Sequence, residues 1–265
     1  MAKKYKLIGI GSAILDVLSS QDNEFLKKND LVPGSMTLIE HDVQQRIYEN
    51  IGSATECSGG SNANAAAAFS MLGGEAAFLG KTRGDQAGRT FITEMERVGC
   101  KVLCEPTTKG LSTSKCMVFV TEEEGEMGRK SVERPMATYL DFKVSIDESD
   151  INEEDIKNTE VIFIEGYLFD GKEAKAAVEK AIKIAKENGV KVAFSLSDAF
   201  CVDRHREEFF DMVNNKADIV FANETEISSL YSNKDISSVI EELKKLGNIA
   251  CVTMSSNGSK IIWEG

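Results

Sequence analysis

Gly59 and Gly60, followed by Ser61 and Asn64, form the grouping in this sequence best suited to holding a small polar ligand. Paired glycines reach positive φ and let a ligand approach the backbone, and a helix starting just after them offers unpaired N–H donors. The Asn64 amide can both donate and accept. A tight connection into a helix with no ligand would use two glycines as readily, so the pair alone leaves both readings open. Asp16, in Gly9-x-Gly11-Ser12-x-x-x-Asp16, carries a carboxylate whose two acceptor oxygens suit a pair of neighbouring hydroxyls. A dinucleotide fingerprint fails there, because Ile14 stands where Gly-x-Gly-x-x-Gly needs its third glycine. Taken by itself, Asn223-Glu224-Thr225-Glu226 reads as a helix N-cap with acids in the first turn.

The elements that position these residues follow from the apolar pattern. Tyr5 to Ile10 and Ile14 to Ser19 suit two successive strands. Ser61 to Leu72 has Ser and Asn at its head, strong helix formers inside and Gly73-Gly74 after it, so both helix ends are signalled. A strand at Ala76 to Leu79 and a helix from Gln86 to Val98 behind an Asp85 N-cap come next. From Val161 onward strands (VIFIE, VKVAFSL, DIVFA, IACVT) alternate with helical segments, the pattern of a mostly parallel α/β sheet. Residues 101–134 read instead as short strands (KVLCE, KCMVFVT, RKSVER) between turns. They are expected to form a small β-sheet beside the main domain, with further strands from residues 15–40. This appendage, discontinuous in sequence, is placed at about 15–40 and 101–137 of one domain spanning 1–265.

At 265 residues, 42% apolar and 28% charged, with three prolines, the chain can bury a large core. Forty-three acidic against 31 basic residues give a net charge of −12, which argues against nucleic acid or an anionic membrane as partner. It does not argue against a nucleotide, whose phosphates are held by local N–H groups and a metal ion. The six cysteines form no Cys-x-x-Cys pair and read as free thiols. The opening MAKKYKLIGIGSAIL has glycines inside its apolar stretch and Asp16 directly after it, so a buried first strand is expected there rather than a signal peptide. No apolar run reaches the ~20 residues of a membrane span, and a cytoplasmic location is expected.

The segment CSGGSNANAAAAFSMLGGEAAFLGKTRGDQAG, Cys57 to Gly88, resembles the first signature of the ribokinase and phosphofructokinase B family of carbohydrate and nucleoside kinases. The family has Gly-Gly-x-x-x-Asn, an alanine-rich helix, Leu-Gly and a later Gly-x-x-Gly-Asp-x-x-Gly. The resemblance implies a ribokinase-like three-layer α/β sandwich with a mostly parallel sheet and a β-sheet lid, hinged at the di-glycine. It implies ATP and Mg²⁺ as cofactors, with a monovalent cation as a further candidate, and a small-molecule nucleoside or sugar as acceptor. By the same resemblance, Ser12, Asp16, Gly59, Gly60 and Asn64 hold the acceptor's hydroxyls. Arg134, in SVERPMATYL (Ser131 to Leu140), is similar in place to an arginine near the transferred phosphate, a task suited to a rigid, permanently charged fork. Leu140-Asp141-Phe142 departs there from the family's Leu-Gly-Ala.

Asn223 and Glu226 match the family's magnesium and phosphate motif, Glu226 meeting Mg²⁺ through water. Thr253, Ser255 and Gly258 resemble its nucleotide-bordering Thr-x-Gly-x-x-Gly turn, with Ser255 in place of the first glycine; a plain hairpin turn is the alternative. GIGSAILD, GGSNANAAAAF and SLSDAFCVDRHR (Ser195 to Arg206) are similar to adenosine kinase-like bacterial members, which makes adenosine the preferred acceptor.

The family's second signature, Asp-Thr-x-Gly-Ala-Gly-Asp, with the aspartate that deprotonates the acceptor, does not occur in these 265 residues. Asp85 belongs to the first signature and caps a helix, so no catalytic base is assigned. The expected function is transfer of the γ-phosphoryl of ATP to a primary hydroxyl, with negligible turnover by this C-terminally incomplete stretch alone. A catalytically silent nucleoside- or sugar-binding protein of the same fold is the alternative, and a Rossmann-type oxidoreductase ranks below both. Monomer and homodimer paired through the lid both fit.

Overall fold

Apolar, β-branched runs closed by glycine or an acid form the strands of an eight-stranded sheet. The computed structural model describes residues 3–124, 130–232 and 234–263. Numbered in chain order, the strands of this sheet are β1 (Tyr5–Ile10), β5 (Ala76–Leu79), β6 (Lys101–Val102), β10 (Thr159–Glu165), β11 (Lys191–Ser195), β12 (Ile219–Asn223), β13 (Ile249–Thr253) and β14 (Ser259–Ile262). Their order is β14-β13-β12-β11-β10-β1-β5-β6. All neighbours are parallel except β14, which returns antiparallel on β13.

A second sheet, ordered β3-β9-β7-β2-β4, is built from β2 (Ile14–Ser20), β3 (Met36–Leu38), β4 (Thr55–Gly59), β7 (Ser114–Glu124) and β9 (Met136–Tyr139). β8 (Lys130–Glu133) pairs with the far end of β7. The expected discontinuous sheet therefore forms, with different bounds. Lys101–Val102, placed by its sequence in the small sheet, is the edge of the large one, because it pairs with Ala77 and Phe78. The second sheet takes up the chain again at Ser114 and gains β4, whose polar residues gave no strand signal. The start of the expected strand at Arg129 lies outside the described residues.

Helices cover the large sheet. On one face α6 (Lys172–Glu187), α7 (Ala199–Arg204), α8 (Arg206–Asp211), α9 (Glu224–Leu230) and α10 (Ile236–Leu243) bury Ile162, Ile164, Val192, Phe194, Val220 and Val252. The helix expected around Arg204 to Val213 appears as α8, and a separate helix, α7, precedes it; the two are divided at His205, which leaves helical backbone. On the other face α3 (Ser61–Met71) and α4 (Gln86–Arg97) lie between the two sheets, where Ala63, Ala66, Phe78 and Phe91 meet Leu15, Val17, Met117 and Phe119. The alanines of α3 let it approach β1 closely: a Cβ on Gly9 would stand 3.3 Å from that of Ala66. Among the described residues nothing covers this face over β12 to β14, where Phe221 and Ile261 are 40% and 59% exposed. Among the described residues no helix is long and apolar enough to cross a membrane, and all six cysteines are free thiols.

Asn62 ties three of these elements together. Buried at the start of α3, its amide donates to the carbonyl of Ile10 on β1 (3.0 Å) and to that of Phe163 on β10 (2.7 Å). Removing it strands two carbonyls in a site with little water, at roughly 1–3 kcal/mol for a lost partner. Asn62→Ala is therefore expected to cost about 2–4 kcal/mol in urea unfolding; a loss below about 0.5 kcal/mol would contradict this role.

Candidate functional site

The chain turns from β4 into α3 at Gly59 and Gly60, and neither position tolerates a side chain. A Cβ on Gly59 would sit 2.2–2.4 Å from the Asp16 carboxyl group. Gly60 has φ +96° as the N-cap of α3, and a Cβ there would lie 2.5 Å from the Ser12 carbonyl oxygen. The glycines thus bring Asp16, Ser12 and the helix start to one rim. Asn64, exposed on the first turn of α3, belongs to the same rim and donates its N–H to the Gly60 carbonyl (2.9 Å).

Asp16 lies on β2, with Cys57 of β4 on one side and Cys116 of β7 on the other. Thr138 of β9 continues this row and donates its hydroxyl to the Cys116 sulfur (3.3 Å). Two residues along each strand, Leu18, Val118 and Met136 share the same face, because side chains alternate along a strand. Asp16 is therefore a half-buried carboxylate on an otherwise weakly polar surface. No protein donor among the described residues is bonded to it, and burial pushes its pKa up to about 6.

Glu165 was not picked out from the sequence, although its residue type carries a signal: an acid ends the apolar strand VIFIE. It is almost fully buried at the end of β10. Its carboxylate accepts from the Ser12 N–H (2.7 Å), the Ser61 hydroxyl (2.7 Å) and the Asn62 N–H (3.2 Å). Burial raises its pKa above the usual carboxylate value, and these donors offset only part of that rise. Gly11 has to be glycine beside it, since a Cβ there would meet Oε2 at 2.5 Å. Since Gly60 carries no capping side chain, Glu165 supplies the acceptor for the head of α3 from another strand.

The second group of sequence candidates gathers at the carboxyl ends of β12 and β13. Asn223, Glu226 and Thr253 line one cavity of about 390 Å³ with Ser195, Ser197 and Lys260. Asn223 and Glu226 form a reciprocal cap of α9: Asn223 Oδ1 accepts from the Glu226 N–H (2.9 Å), and Glu226 accepts from the Asn223 N–H (2.9 Å) and amide (2.6 Å). Burial, and then the nearby Asp198 carboxylate, raise the pKa of Glu226. Asp198 itself caps α7 through the Cys201 N–H (2.7 Å), and both Glu226 oxygens are engaged in the cap of α9. Ser255 and Gly258 lie in the β13–β14 turn, with φ of +50° and +83°. Serine does take the glycine-like conformation there, in a hairpin connection. Along the carboxyl edge of the sheet β12 lies three strands from β1, about 14 Å at ~4.8 Å per strand.

Arg134 does not join either group. It is exposed between β8 and β9, four residues before Thr138, and so about 13 Å along the sheet from the Asp16 row at ~3.3 Å per residue. Asp85 caps α4 through the Gly88 N–H (2.8 Å) and also accepts from the Thr113 N–H (2.8 Å) and hydroxyl (2.7 Å). These donors hold its pKa below the usual carboxylate range against the opposing effect of burial. Asp141, in the segment that departs from the family pattern, accepts from the Leu111 N–H (2.6 Å) and the Tyr139 hydroxyl (3.0 Å) and so fixes the approach to β7.

A mostly parallel α/β sheet with two groups of polar side chains at its carboxyl edge, beside a small β-sheet joined through a di-glycine, defines a two-sheet α/β architecture. The model of the pfkB family of carbohydrate kinases matches residues 35–262, and the chain belongs to that family. Among solved structures, an adenosine kinase from Sinorhizobium meliloti is 37% identical with a TM-score of 0.85, covering 98% of this chain and 77% of its own. A probable sugar kinase from Rhizobium etli is 36% identical with a TM-score of 0.86 at the same coverage. A 5-dehydro-2-deoxygluconokinase from Bacillus velezensis is 25% identical over 233 residues, 84% of this chain and 61% of the relative. The chain thus spans about three fifths of that curated relative.

The pKa of Asp16 has a consequence for stability. Its folded value of about 6 lies above the ordinary aspartate value of 3.8, so the folded state binds this proton more tightly. The charged carboxylate lowers stability above pH 6, and the penalty fades as the pH falls toward 4. Asp16→Asn is expected to stabilise the chain by about 1–2 kcal/mol at pH 7.5, with no gain near pH 4. Urea unfolding at the two pH values tests this; equal stability at pH 7.5 would contradict it.

Proposed function

We propose that this chain binds a nucleoside or sugar, adenosine foremost, as the acceptor in MgATP-dependent phosphoryl transfer to a primary hydroxyl. The observation that carries the reading is the Asp16 carboxylate, half-buried and without a protein donor. Such a group is costly unless a ligand supplies donors, and the two vicinal hydroxyls of a ribose match its two oxygens. The Gly60 N–H and the Asn64 amide, on the other side of the rim, are placed to meet the remaining ring oxygens. Leu18, Val118 and Met136, on the face that presents Asp16, favour a flat apolar base over a wholly hydroxylated sugar. The likeness to the Sinorhizobium meliloti adenosine kinase supports the same choice.

The cavity at β12 and β13 is assigned to the nucleotide, with Asn223, Glu226, Thr253, Ser255 and Gly258 around its phosphates. Mg²⁺ held there through water by Glu226, beside Asp198, supplies positive charge to the transferring phosphoryl group. Arg134 would reach that charge only if the second sheet swings about Gly59-Gly60, the lid motion that the proposal requires of it. Proton removal from the acceptor needs a base within about 2.6–3.2 Å. Asp16 is committed to the acceptor, and Glu165 and Asp85 are each held by three donors.

Calorimetry with adenosine is expected to show saturable binding, and Asp16→Ala to weaken it by about 30-fold or more, as loss of charge-assisted hydrogen bonds predicts. Unchanged affinity in a folded Asp16→Ala variant would reject the assignment. With MgATP and adenosine the 265-residue chain should release ADP no faster than the background; strong adenosine-dependent release would show that a base had been overlooked.

A further inference from the structure

Cys201 in α7 and His205 at its end stand four residues apart, on one face of the helix, and the His205 N–H closes that turn on the Cys201 carbonyl (3.1 Å). Asp170 meets them from the short turn that follows β10, Gly166–Asp170. The Cys201 sulfur, a His205 ring nitrogen and an Asp170 oxygen all lie within 4.8 Å of one another. Thiolate, imidazole and carboxylate are the ligand types of zinc. None of the three has a part in the acceptor rim or the nucleotide cavity described above.

Both ring nitrogens of His205 face carboxylate oxygens: Nδ1 stands 3.1 Å from Glu208 Oε2, and Nε2 stands 2.7 Å from Asp170 Oδ1. A neutral imidazole has one N–H, so one of these contacts sets a lone pair against an acceptor unless a second positive centre, a proton or a metal ion, lies there. Phe209 holds the ring in this pose, stacked on it with centroids 5.9 Å apart. Glu208 is itself paired with Lys175. When the Nδ1 hydrogen goes to Glu208, the Nε2 lone pair is left on the Asp170 side. A carboxylate behind one nitrogen is the arrangement that orients a metal-ligating histidine.

Without a metal, Arg204 closes the site through a two-point pair with Asp170, Nε to Oδ1 at 3.0 Å and Nη2 to Oδ2 at 2.8 Å. That guanidinium is half exposed and free to turn into water. Cys201 is fully buried, and burial, followed by the Asp170 carboxylate, pushes its thiol up to about 12. A thiol that stays protonated and faces no solvent is a poor nucleophile, which argues against a Cys-His-Asp catalytic group. A bound cation would take the place of the thiol proton, which passes to solvent, and its two positive charges would balance one thiolate and one carboxylate.

We propose that Asp170, Cys201 and His205 bind one zinc-class divalent cation, with Glu208 orienting His205, Arg204 competing for Asp170, and water in the fourth position. A tetrahedral centre with bonds of about 2.0–2.3 Å spaces its ligands roughly 3.2–3.8 Å apart. The 2.7 Å contact between Asp170 and His205 therefore opens as the metal enters. Sulfur and imidazole discriminate against magnesium, which keeps oxygen ligands and its own waters. Occupancy fastens the head of α7, capped by Asp198, to the turn after β10.

Cobalt(II) tests the site, because its spectrum reports ligand type. Titration of the whole chain with Co²⁺ is expected to give thiolate-to-metal absorption and the intense visible bands of a tetrahedral centre, saturating at one ion per chain. Zn²⁺ in equal amount should bleach them, and a large excess of Mg²⁺ should not. No thiolate absorption at saturation, or displacement by Mg²⁺ as readily as by Zn²⁺, would overturn the proposal. Cys201→Ala should abolish the thiolate absorption; its persistence in a folded variant would place the metal on another cysteine and overturn the proposal as well. In competition with a chromophoric chelator, Glu208→Gln should bind Zn²⁺ about tenfold more weakly, and Arg204→Ala, which frees Asp170, about tenfold more tightly. These two surface variants decide the matter if Cys201→Ala does not fold: zinc affinity unchanged in both contradicts the site.

Discussion

A buried carboxylate must be met by donors, and in this chain the donors that meet Glu165 come from two places far apart in sequence. The Ser12 N–H arrives from the loop after β1, and the Ser61 hydroxyl and Asn62 N–H arrive from the head of α3. Asn62 then turns its own amide onto the ends of β1 and β10. Much else is a consequence of this junction. Gly11 cannot bear a side chain, Gly60 is pressed against Ser12, and α3 begins where β10 ends. Because each partner is fixed in the core of the large sheet, the rim around Gly59 and Gly60 has a rigid side on which a ligand can be positioned.

The other side of the rim belongs to the second sheet, and its geometry depends on fewer, more polar anchors. Asp85 and Asp141 hold the segment that leads from β6 into β7, through Thr113 and Leu111. These carboxylates are therefore structural, whereas Asp16, three positions along β2, has nothing from the protein to bind. The contrast separates the acids by role: Glu165, Asp85 and Asp141 are satisfied, Asp16 is not, and Glu226 is satisfied by its cap yet crowded by Asp198. Unsatisfied or crowded charge is where a ligand or metal lowers the free energy most.

Local signals in the sequence carried the parts of this arrangement that depend on local chemistry. The strands around Ile8 and Val161, the Asp85 cap, the α3 start at Ser61 and the need for glycine at 59 and 60 all follow from residue type and period. Pairing between distant segments was not legible. Lys101–Val102 has the residues of either sheet, and only contact with Ala77 and Phe78 decides. Thr55–Gly59 lacks an apolar alternation because it is an edge strand that presents Cys57 and Gly59 to the rim. The break at His205 interrupts an otherwise helical pattern where His205 binds Asp170. Glu165 escaped notice for the same reason: an acid after an apolar strand is visible, but its three donors are set by the fold. Arg134 shows the converse, since a motif-like position along the chain does not by itself fix the distance of a side chain from the rim: it stands four residues before Thr138, exposed on the second sheet.

On the function proposed above, Asp16 takes its missing donors from the hydroxyls of the acceptor. Its carboxyl carbon can be followed by ¹³C NMR across a pH titration, with and without saturating adenosine. Without ligand the midpoint is expected near the pKa of about 6 that burial imposes. With adenosine bound, hydroxyl donors favour the ionised form, and the midpoint should fall by at least about one unit. A midpoint that adenosine leaves in place, at concentrations that saturate binding, would contradict the account.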